Sequence, residues 1–164
     1  MSVLVRSARA ADADLVHCFI RELAVYEKLE HAVEATPADI AELLFSPTPA
    51  AHCEIAEIAE IAGEAVGFAF WFYNVSTFKG RRGIWLEDVY VREACRGQGA
   101  GLALLRALAQ RCRDEGLGRL EWAVLDWNAP SIAFYDALGA EAMDEWTTRR
   151  LSGEALAKLA AAKN

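Results

Sequence analysis

Hydrophobic residues recur along the chain with two periods, and the change between them marks the predicted helices and strands. Spacings of three and four residues predict helices over about 13–29, over 37–45, from Leu102 to about Glu115, and after Asn128 and Ser152. Short runs of apolar and β-branched residues predict strands over 3–9, 65–73, 86–91, 120–125 and 145–151. The order of these segments predicts a single α+β domain over 1–164, with helices flanking a mixed, mostly antiparallel central sheet in three layers.

Capping residues mark the starts of several predicted helices. Thr36-Pro37-Ala38-Asp39 combines a threonine cap, a proline in the first turn and an acid three positions after the cap. Asp12 is predicted to cap the first long helix. Asn128 is predicted to cap a later helix, which has Pro130 in its first turn and Gly139 just beyond its end.

Two segments before the strand at 86–91 have conflicting or weak local patterns. Residues 51–61 contain Glu and Ala in a three-residue repeat that favours a helix, yet Gly63-Glu64 is typical of a hairpin turn between strands. Residues 74–82 are polar and include Lys79, Arg81 and Arg82, so they are predicted to form a loop.

The most informative stretch begins as the predicted strand 86–91 and turns through Arg96-Gly97-Gln98-Gly99-Ala100-Gly101 before the next helix. Glycines at alternate positions leave backbone N–H groups uncovered, and the helix N-terminus lies behind them, so the loop suits a phosphate or pyrophosphate. A plain tight turn would also explain the glycines. The dinucleotide fingerprint does not fit this glycine spacing, and the P-loop does not fit because no lysine follows Gly101.

Composition narrows the class of protein. The chain has 164 residues, and its 54% hydrophobic content excludes a disordered protein. The net charge of −7 argues against non-specific binding to nucleic acid and is compatible with a cationic partner. No apolar run is long enough to span a membrane, and the N-terminal residues lack the pattern of a secretory signal. We therefore expect a cytoplasmic protein without membrane or nucleic-acid partners.

The cysteines and histidines do not predict a metal site. The spacing of Cys18, Cys53, Cys95 and Cys112 contains no Cys-x-x-Cys pair, and the three histidines are scattered. Cys95 precedes the positive glycine loop, which could activate its thiol, but a packing or surface role is the simpler interpretation.

A second motif runs from Trp127 to Tyr135 and continues in Leu138-Gly139-Ala140. Together with the glycine loop, it resembles the GCN5-related N-acetyltransferases (GNAT): the two motifs have the order and the separation that this family shows. The resemblance covers nearly the whole chain. The resemblance implies the GNAT fold, acetyl-coenzyme A (acetyl-CoA) as co-substrate, no metal, and a strand over 51–61 against its local propensity. Residues 22–27, 86–88 and 123–128 are similar to the diamine acetyltransferase branch, which includes polyamine and thialysine acetyltransferases and implies a homodimer.

The resemblance assigns two regions to the co-substrate. Backbone N–H groups of residues 97 to 102 would hold the pyrophosphate, and main-chain groups at the end of the preceding strand would contact the pantetheine arm and polarise the acetyl carbonyl. The implied cofactor-binding residues are Val89, Tyr90, Val91, Arg96, Gly97, Gln98, Gly99, Ala100, Gly101, Leu102, Asn128, Ala129, Pro130 and Ser131. Simple helix capping is an alternative role for Asn128.

Two residues are predicted to be catalytic. Tyr135 matches the family's general acid, which protonates the departing thiolate; its alternative role is that of a half-buried aromatic on a helix. Glu87 and Asp88 are adjacent acids in an otherwise apolar strand, where a carboxylate is costly unless it has a partner. Glu87 is predicted to bind the substrate ammonium and take its proton, directly or through water, with a salt bridge to a nearby arginine as the alternative.

By the same resemblance, the predicted substrate-binding residues are Tyr26, Glu27, Glu87, Asp88, Glu121, Trp122, Ala123 and Glu145. The acid that polyamine enzymes carry before the central strand is missing near Thr77. A smaller amine, or an amino acid with a side-chain amine, therefore fits the sequence at least as well as a polyamine does. We therefore predict acetyl-CoA-dependent transfer to a primary amine of a small cation. The alternatives are a protein lysine or N-terminal acetyltransferase and a non-catalytic acetyl-CoA-binding module.

Overall fold

The computed structural model describes residues 2–61 and 64–162. They fall into two compact units, Met1–Ala123 and Val124–Asn164. In the first unit, the helices and strands are β1 (Val3–Ser7), α1 (Ala13–Glu27), α2 (Pro37–Phe45), β2 (His52–Ile58), β3 (Glu64–Ser76), β4 (Arg81–Val91), α3 (Ala100–Asp114) and β5 (Leu120–Trp122). The second unit contains α4 (Ala129–Ala137) and α5 (Gly153–Ala161). Gly63 of the predicted hairpin turn lies outside the described residues.

The sheet of the first unit has the order β1-β2-β3-β4-β5. The pairs β1–β2, β2–β3 and β3–β4 are antiparallel, whereas β4 and β5 are parallel. The parallel pair requires a crossover, and α3 provides it. This arrangement confirms the predicted mixed, mostly antiparallel sheet.

Helices cover both faces of this sheet. On one face, α1 and α2 pack on β2 and β3 around a core that contains Phe19, Ile40, Ile55 and Phe68. The Phe19 and Phe68 rings stack with their centroids 5.5 Å apart. Successive side chains of a strand point to opposite faces of the sheet. Trp71 of β3 lies on the other face, where Arg111 of α3 lies over its ring. The predicted three layers are therefore present.

Local capping signals are confirmed for α2 but not for α1. Thr36 and Asp39 form a reciprocal capping box at the start of α2. Asp12 precedes α1 but makes no capping hydrogen bond to it; its carboxylate instead pairs with Arg6 of β1 at 2.8 Å and accepts the Arg9 N–H at 2.7 Å. The side chain of Arg6 and the main chain of Arg9 therefore take up the carboxylate that was predicted to cap α1. Ser152 likewise precedes α5 without a side-chain capping bond.

Several predicted boundaries are wrong. β2 ends at Ile58 and a short 3-10 turn follows, so the strand predicted for 51–61 is shorter. The loop predicted for 74–82 is mostly strand, because β3 runs to Ser76 and β4 begins at Arg81, and the two pair to their ends. Residues 145–151 form no strand. The described part of the second unit contains only helices and irregular chain, so no strand within that unit can pair with this segment.

Candidate functional site

The end of β4 is paired on one side only. Its parallel pairing with β5 covers residues 84–86, opposite Leu120–Trp122. Beyond Leu86 the strand continues to Val91, and within the described residues only β3 pairs with this part of it. The edge of β4 over 87–91 is therefore open where β5 ends.

A β-bulge lies where this open edge begins. Leu86 is opposite Trp71 of β3, but Asp88 is opposite Phe70, so Glu87 is the extra residue of β4. Bulges bend a strand, end pairing and redirect side chains, and they are common beside active sites. Here the bulge coincides with the end of the β4–β5 ladder.

The bulge also reverses the direction of the main-chain groups of β4. Before it, the Ile84 N–H donates towards β5, to the Arg119 carbonyl at 3.0 Å. After it, the Arg92 N–H donates towards β3, to the Val66 carbonyl at 2.9 Å. Main-chain groups alternate in direction along a strand. The N–H and C=O groups of Tyr90 therefore face β3, whereas those of Val89 and Val91 face the open edge.

The glycine loop follows this strand and leads into α3. Gly97 and Gly99 have φ angles of +74° and +89°, in the region that favours glycine. Within the described chain, the backbone N–H groups of residues 97–102 donate no hydrogen bond to the protein, and the first helical bond comes from Ala103 to Gly99 at 2.9 Å. Six successive free donors at the positive end of a helix dipole are suited to bind an anion.

Side chains of the loop point to neighbouring main chain and rings. Arg96 donates from Nε to the Val91 carbonyl at 3.0 Å, and its guanidinium lies 4.5 Å from the Tyr26 ring centroid and 5.8 Å from that of Tyr90. Gln98 donates to the Ala94 carbonyl at 3.4 Å. Cys95 is a free, half-buried thiol in the turn before this loop.

Three of the predicted acidic residues influence one another at the bulge. Burial, and then the nearby charges of Glu87 and Glu27, raise the pKa of Asp88 to about 7. Burial also raises the pKa of Glu27 at the end of α1. Glu87 is exposed, and its carboxylate accepts a hydrogen bond from the Trp85 indole at 2.8 Å. Within residues 2–61 and 64–162, no lysine or arginine forms an ion pair with Glu27, Glu87 or Asp88, so these three carboxyl groups suit an ammonium ligand.

The other predicted substrate-binding residues of the first unit lie on and after β5. The Glu121 carboxylate pairs with Arg119 at 2.6 Å and accepts a hydrogen bond from Asn74 at 2.8 Å. Its charge is therefore already balanced within the fold. Trp122 is half-buried at the last paired position of β5, and Ala123 is exposed.

The second unit contains the remaining predicted residues. Asn128 is buried and its side chain accepts a hydrogen bond from the Ser131 N–H at 3.4 Å, so it caps α4 as predicted. Ala129 and Pro130 form the first turn of this helix. Tyr135 is half-buried on α4, with its ring 5.5 Å from that of Phe134. Glu145 is exposed in irregular chain.

Residues 2–61 and 64–162 contain neither a cluster of metal ligands nor a helix that could cross a membrane. No group of three or more His, Cys, Asp or Glu side chains there is arranged to hold a metal ion. None of the helices in these ranges is both long and apolar enough to cross a membrane.

Comparison with known proteins identifies the family. Residues 15–140 match the sequence model of the Acetyltransferase (GNAT) family. The chain belongs to the GNAT family of acetyltransferases. This GNAT N-acetyltransferase is 39% identical over 166 residues to a thialysine N-epsilon-acetyltransferase of Bos taurus, covering 96% of this chain and 97% of the relative. It is 30% identical to the L-ornithine N5-acetyltransferase NATA1 of Arabidopsis thaliana, covering 93% of this chain and 85% of the relative.

Solved structures agree on the fold. An integron cassette protein from the mobile metagenome of V. cholerae superimposes on this GNAT chain with a TM-score of 0.80 and 29% identity, covering 99% of both chains. A ribosomal-protein-alanine N-acetyltransferase from Brucella melitensis, at 20% identity, has a TM-score of 0.73 over 93% of this chain and 99% of its own. The second likeness concerns the fold alone.

Trp85 and Arg92 support the candidate site, and neither was among the residues predicted from the sequence. Trp85, which holds Glu87, could have been found, because residues two apart on a strand share a face. Arg92 binds Glu22 of α1 at 3.0 Å and lies 4.9 Å from the Phe19 ring, and so fastens α1 to the end of β4. That pair joins distant parts of the chain, and no local pattern indicates it.

Proposed function

We propose that this GNAT enzyme transfers the acetyl group of acetyl-CoA to a primary amine of a small cationic substrate by direct attack in a ternary complex. The substrate class comprises diamines, polyamines and amino acids like thialysine or lysine. The observation that carries the proposal is the group formed by Glu27, Glu87 and Asp88 at the bulge of β4, beside an open strand edge and a glycine loop with free donors.

The co-substrate is proposed to bind along the open edge and the loop. The free N–H groups of residues 97–102 fit a diphosphate, and the outward main-chain groups of Val89 and Val91 fit the amides of a pantetheine arm. When bound, acetyl-CoA supplies an acetyl group activated as a thioester. An outward N–H at the end of β4 would donate to the acetyl oxygen and stabilise the charge that develops there.

The acidic group is proposed to receive the amine. A protonated amine is attracted by the carboxylates, but it must lose a proton before its nitrogen can attack. Glu87, held by the Trp85 indole, accepts that proton directly or through one water. Asp88, with its pKa near 7, provides a second carboxyl whose charge changes close to neutral pH. Tyr135 of α4 donates a proton to the departing thiolate.

The relatives favour one part of the substrate class. The two that are named here act, by their names, on thialysine and on L-ornithine, which both combine an amino acid head with a side-chain amine. In this chain Glu121 is already paired with Arg119, which leaves fewer free carboxylates for a long polycation. We therefore propose an amino acid with a side-chain amine as the preferred substrate.

A homodimer and a cytoplasmic location are part of the proposal. The helices of the second unit have no buried residue, and its exposed large apolar side chains support a contact with a second copy. These residues are Trp127, Phe134, Leu138, Met143, Trp146, Leu151, Leu156 and Leu159. Light scattering during size-exclusion chromatography should give twice the mass of the chain, and a monomer at micromolar concentration would contradict this.

Thiol release from acetyl-CoA tests the function. The panel contains thialysine, ornithine, lysine, putrescine, spermidine and a lysine peptide, with wild type beside Tyr135→Phe. We expect turnover of one or more small amines, and a fall in kcat of about tenfold or more in the variant with little change in acetyl-CoA affinity. Turnover of the peptide alone would favour a protein acetyltransferase, and acetyl-CoA binding without turnover of any amine would favour a non-catalytic module.

A further inference from the structure

Arg96 contacts both the predicted substrate side and the predicted co-substrate side of the first unit. Its guanidinium lies 4.5 Å from the Tyr26 ring centroid, at the last turn of α1, and 5.8 Å from the ring of Tyr90. Its Nε donates to the Val91 carbonyl at the open end of β4. In the chain, Arg96 immediately precedes the six free N–H groups of the glycine loop.

These contacts differ from those of the neighbouring Arg92. Arg92 forms ion pairs with Glu22 at 3.0 Å and Glu64 at 3.2 Å, which fix it as part of the fold. Arg96 is exposed, and no carboxylate in the described residues forms an ion pair with it. Aromatic rings and one main-chain carbonyl therefore hold a guanidinium whose other N–H groups can still donate to an anion.

Tyr26 lies beside a member of the acidic group. The next residue, Glu27, is one of the two charges that act on Asp88 at the bulge. Tyr26 and Glu27 share the last turn of α1, so a contact that fixes Tyr26 also fixes the main chain that carries Glu27. Arg96 is the side chain that joins this turn of α1 to the first residue of the anion-binding loop.

We infer that Arg96 is a positioning residue that couples the two binding sites, an inference that rests on the proposed function. An anion in the loop fixes the backbone at residue 97 and holds Arg96 against Tyr26, which orders the end of α1 for the amine. Because such coupling is reciprocal, the Tyr26 ring in turn favours binding of acetyl-CoA. An exposed cation–π contact corresponds to about a two- to fivefold change in affinity.

A double-mutant cycle tests the coupling. Acetyl-CoA affinity is measured by calorimetry, without amine, for wild type, Tyr26→Leu, Arg96→Gln and the double variant. Gln keeps a donor and is the alternative residue in the family's loop pattern, so the loop is preserved while the cation is removed. Tyr26→Phe retains the ring, and Val25→Ala changes an exposed neighbour on α1.

Tyr26→Leu should raise the acetyl-CoA Kd by about two- to fivefold in the wild-type background and by less than about 1.5-fold in Arg96→Gln. Val25→Ala should leave the acetyl-CoA Kd unchanged, Tyr26→Phe should raise it less than Tyr26→Leu, and Arg96→Gln should raise the amine KM by about two- to fivefold. An unchanged Kd in Tyr26→Leu, or an equal effect in both backgrounds, would overturn the coupling alone. A wild type that does not bind acetyl-CoA would contradict the proposed function as well.

Discussion

Replacing Asp88 with asparagine should stabilise the protein, and more so as the pH rises. Asp88 is half-buried beside Glu27 and Glu87, and these surroundings raise its pKa from 3.8 to about 7. Between those two pH values, the folded protein holds a proton that the unfolded chain has released. Stability contributed by this carboxyl is therefore lost as the pH rises from about 4 to about 7.

The size of the effect follows from the shift in pKa. The difference between 3.8 and about 7 corresponds to about 4 kcal/mol in the free energy of unfolding above pH 7, as an upper limit. About 2.5 kcal/mol of this loss falls between pH 5 and pH 8. Asparagine has no charge to desolvate, so the stability gained by Asp88→Asn should widen by about 2.5 kcal/mol over the same range. His52, whose pKa is lowered by burial, titrates in both proteins and cancels in the comparison.

Urea unfolding of wild type and Asp88→Asn at pH 5 and pH 8, followed by tryptophan fluorescence, measures this difference. The unfolding midpoints of the two proteins should lie roughly 1 M further apart at pH 8 than at pH 5. Asp114→Asn, at an exposed position at the end of α3, is the matched control and should show a gap that does not depend on pH. A gap between wild type and Asp88→Asn that stays constant or narrows towards pH 8 would refute the argument from burial and neighbouring charge.

Three further predictions follow from the same features. Gly99→Ala should lower acetyl-CoA affinity about tenfold in calorimetry, because alanine at a φ of +89° costs about 1–2 kcal/mol and distorts the loop; unchanged affinity would show that the loop geometry is not needed. The kcat/KM for the amine should fall below about pH 7 as Asp88 takes up a proton, and Asp88→Asn should lose this limb of the profile; a limb that persists must have another origin. Thr36→Ala should reduce the free energy of unfolding by about 1 kcal/mol without changing kcat, and an unchanged urea midpoint would contradict the capping role.

The features that the sequence predicted well have local causes. The capping box of α2 depends on residues three apart, and the glycine loop depends on backbone conformations that glycine favours. The strand at 86–91 was predicted from its own apolar composition, although β4 begins five residues earlier, at Arg81. Each of these signals acts within a few residues, so no knowledge of the fold was needed to find them.

The features that the sequence did not reveal depend on distant partners. The bulge at Glu87 is a property of the register between β3 and β4, and it alone turns Val89 and Val91 to the open edge. The contact of Arg96 with Tyr26 requires α1 to lie beside the glycine loop. The Asn74 side chain, distant in the chain, donates to the carboxylate of Glu121, a predicted substrate-site acid whose charge the fold has already balanced. Composition and spacing carry none of this information.

A competition experiment tests the central claim, acetyl transfer to a small amine, most directly. Wild-type protein is given acetyl-CoA with an isotope-labelled acetyl group and an equimolar mixture of thialysine, ornithine, spermidine and an unfolded lysine-rich protein, and mass spectrometry identifies the labelled products. Competition reports the ratios of kcat/KM directly. We predict that the label appears on the side-chain amine of thialysine or ornithine before any other component. Label that accumulates first on the protein, or on none of the components, would contradict the account.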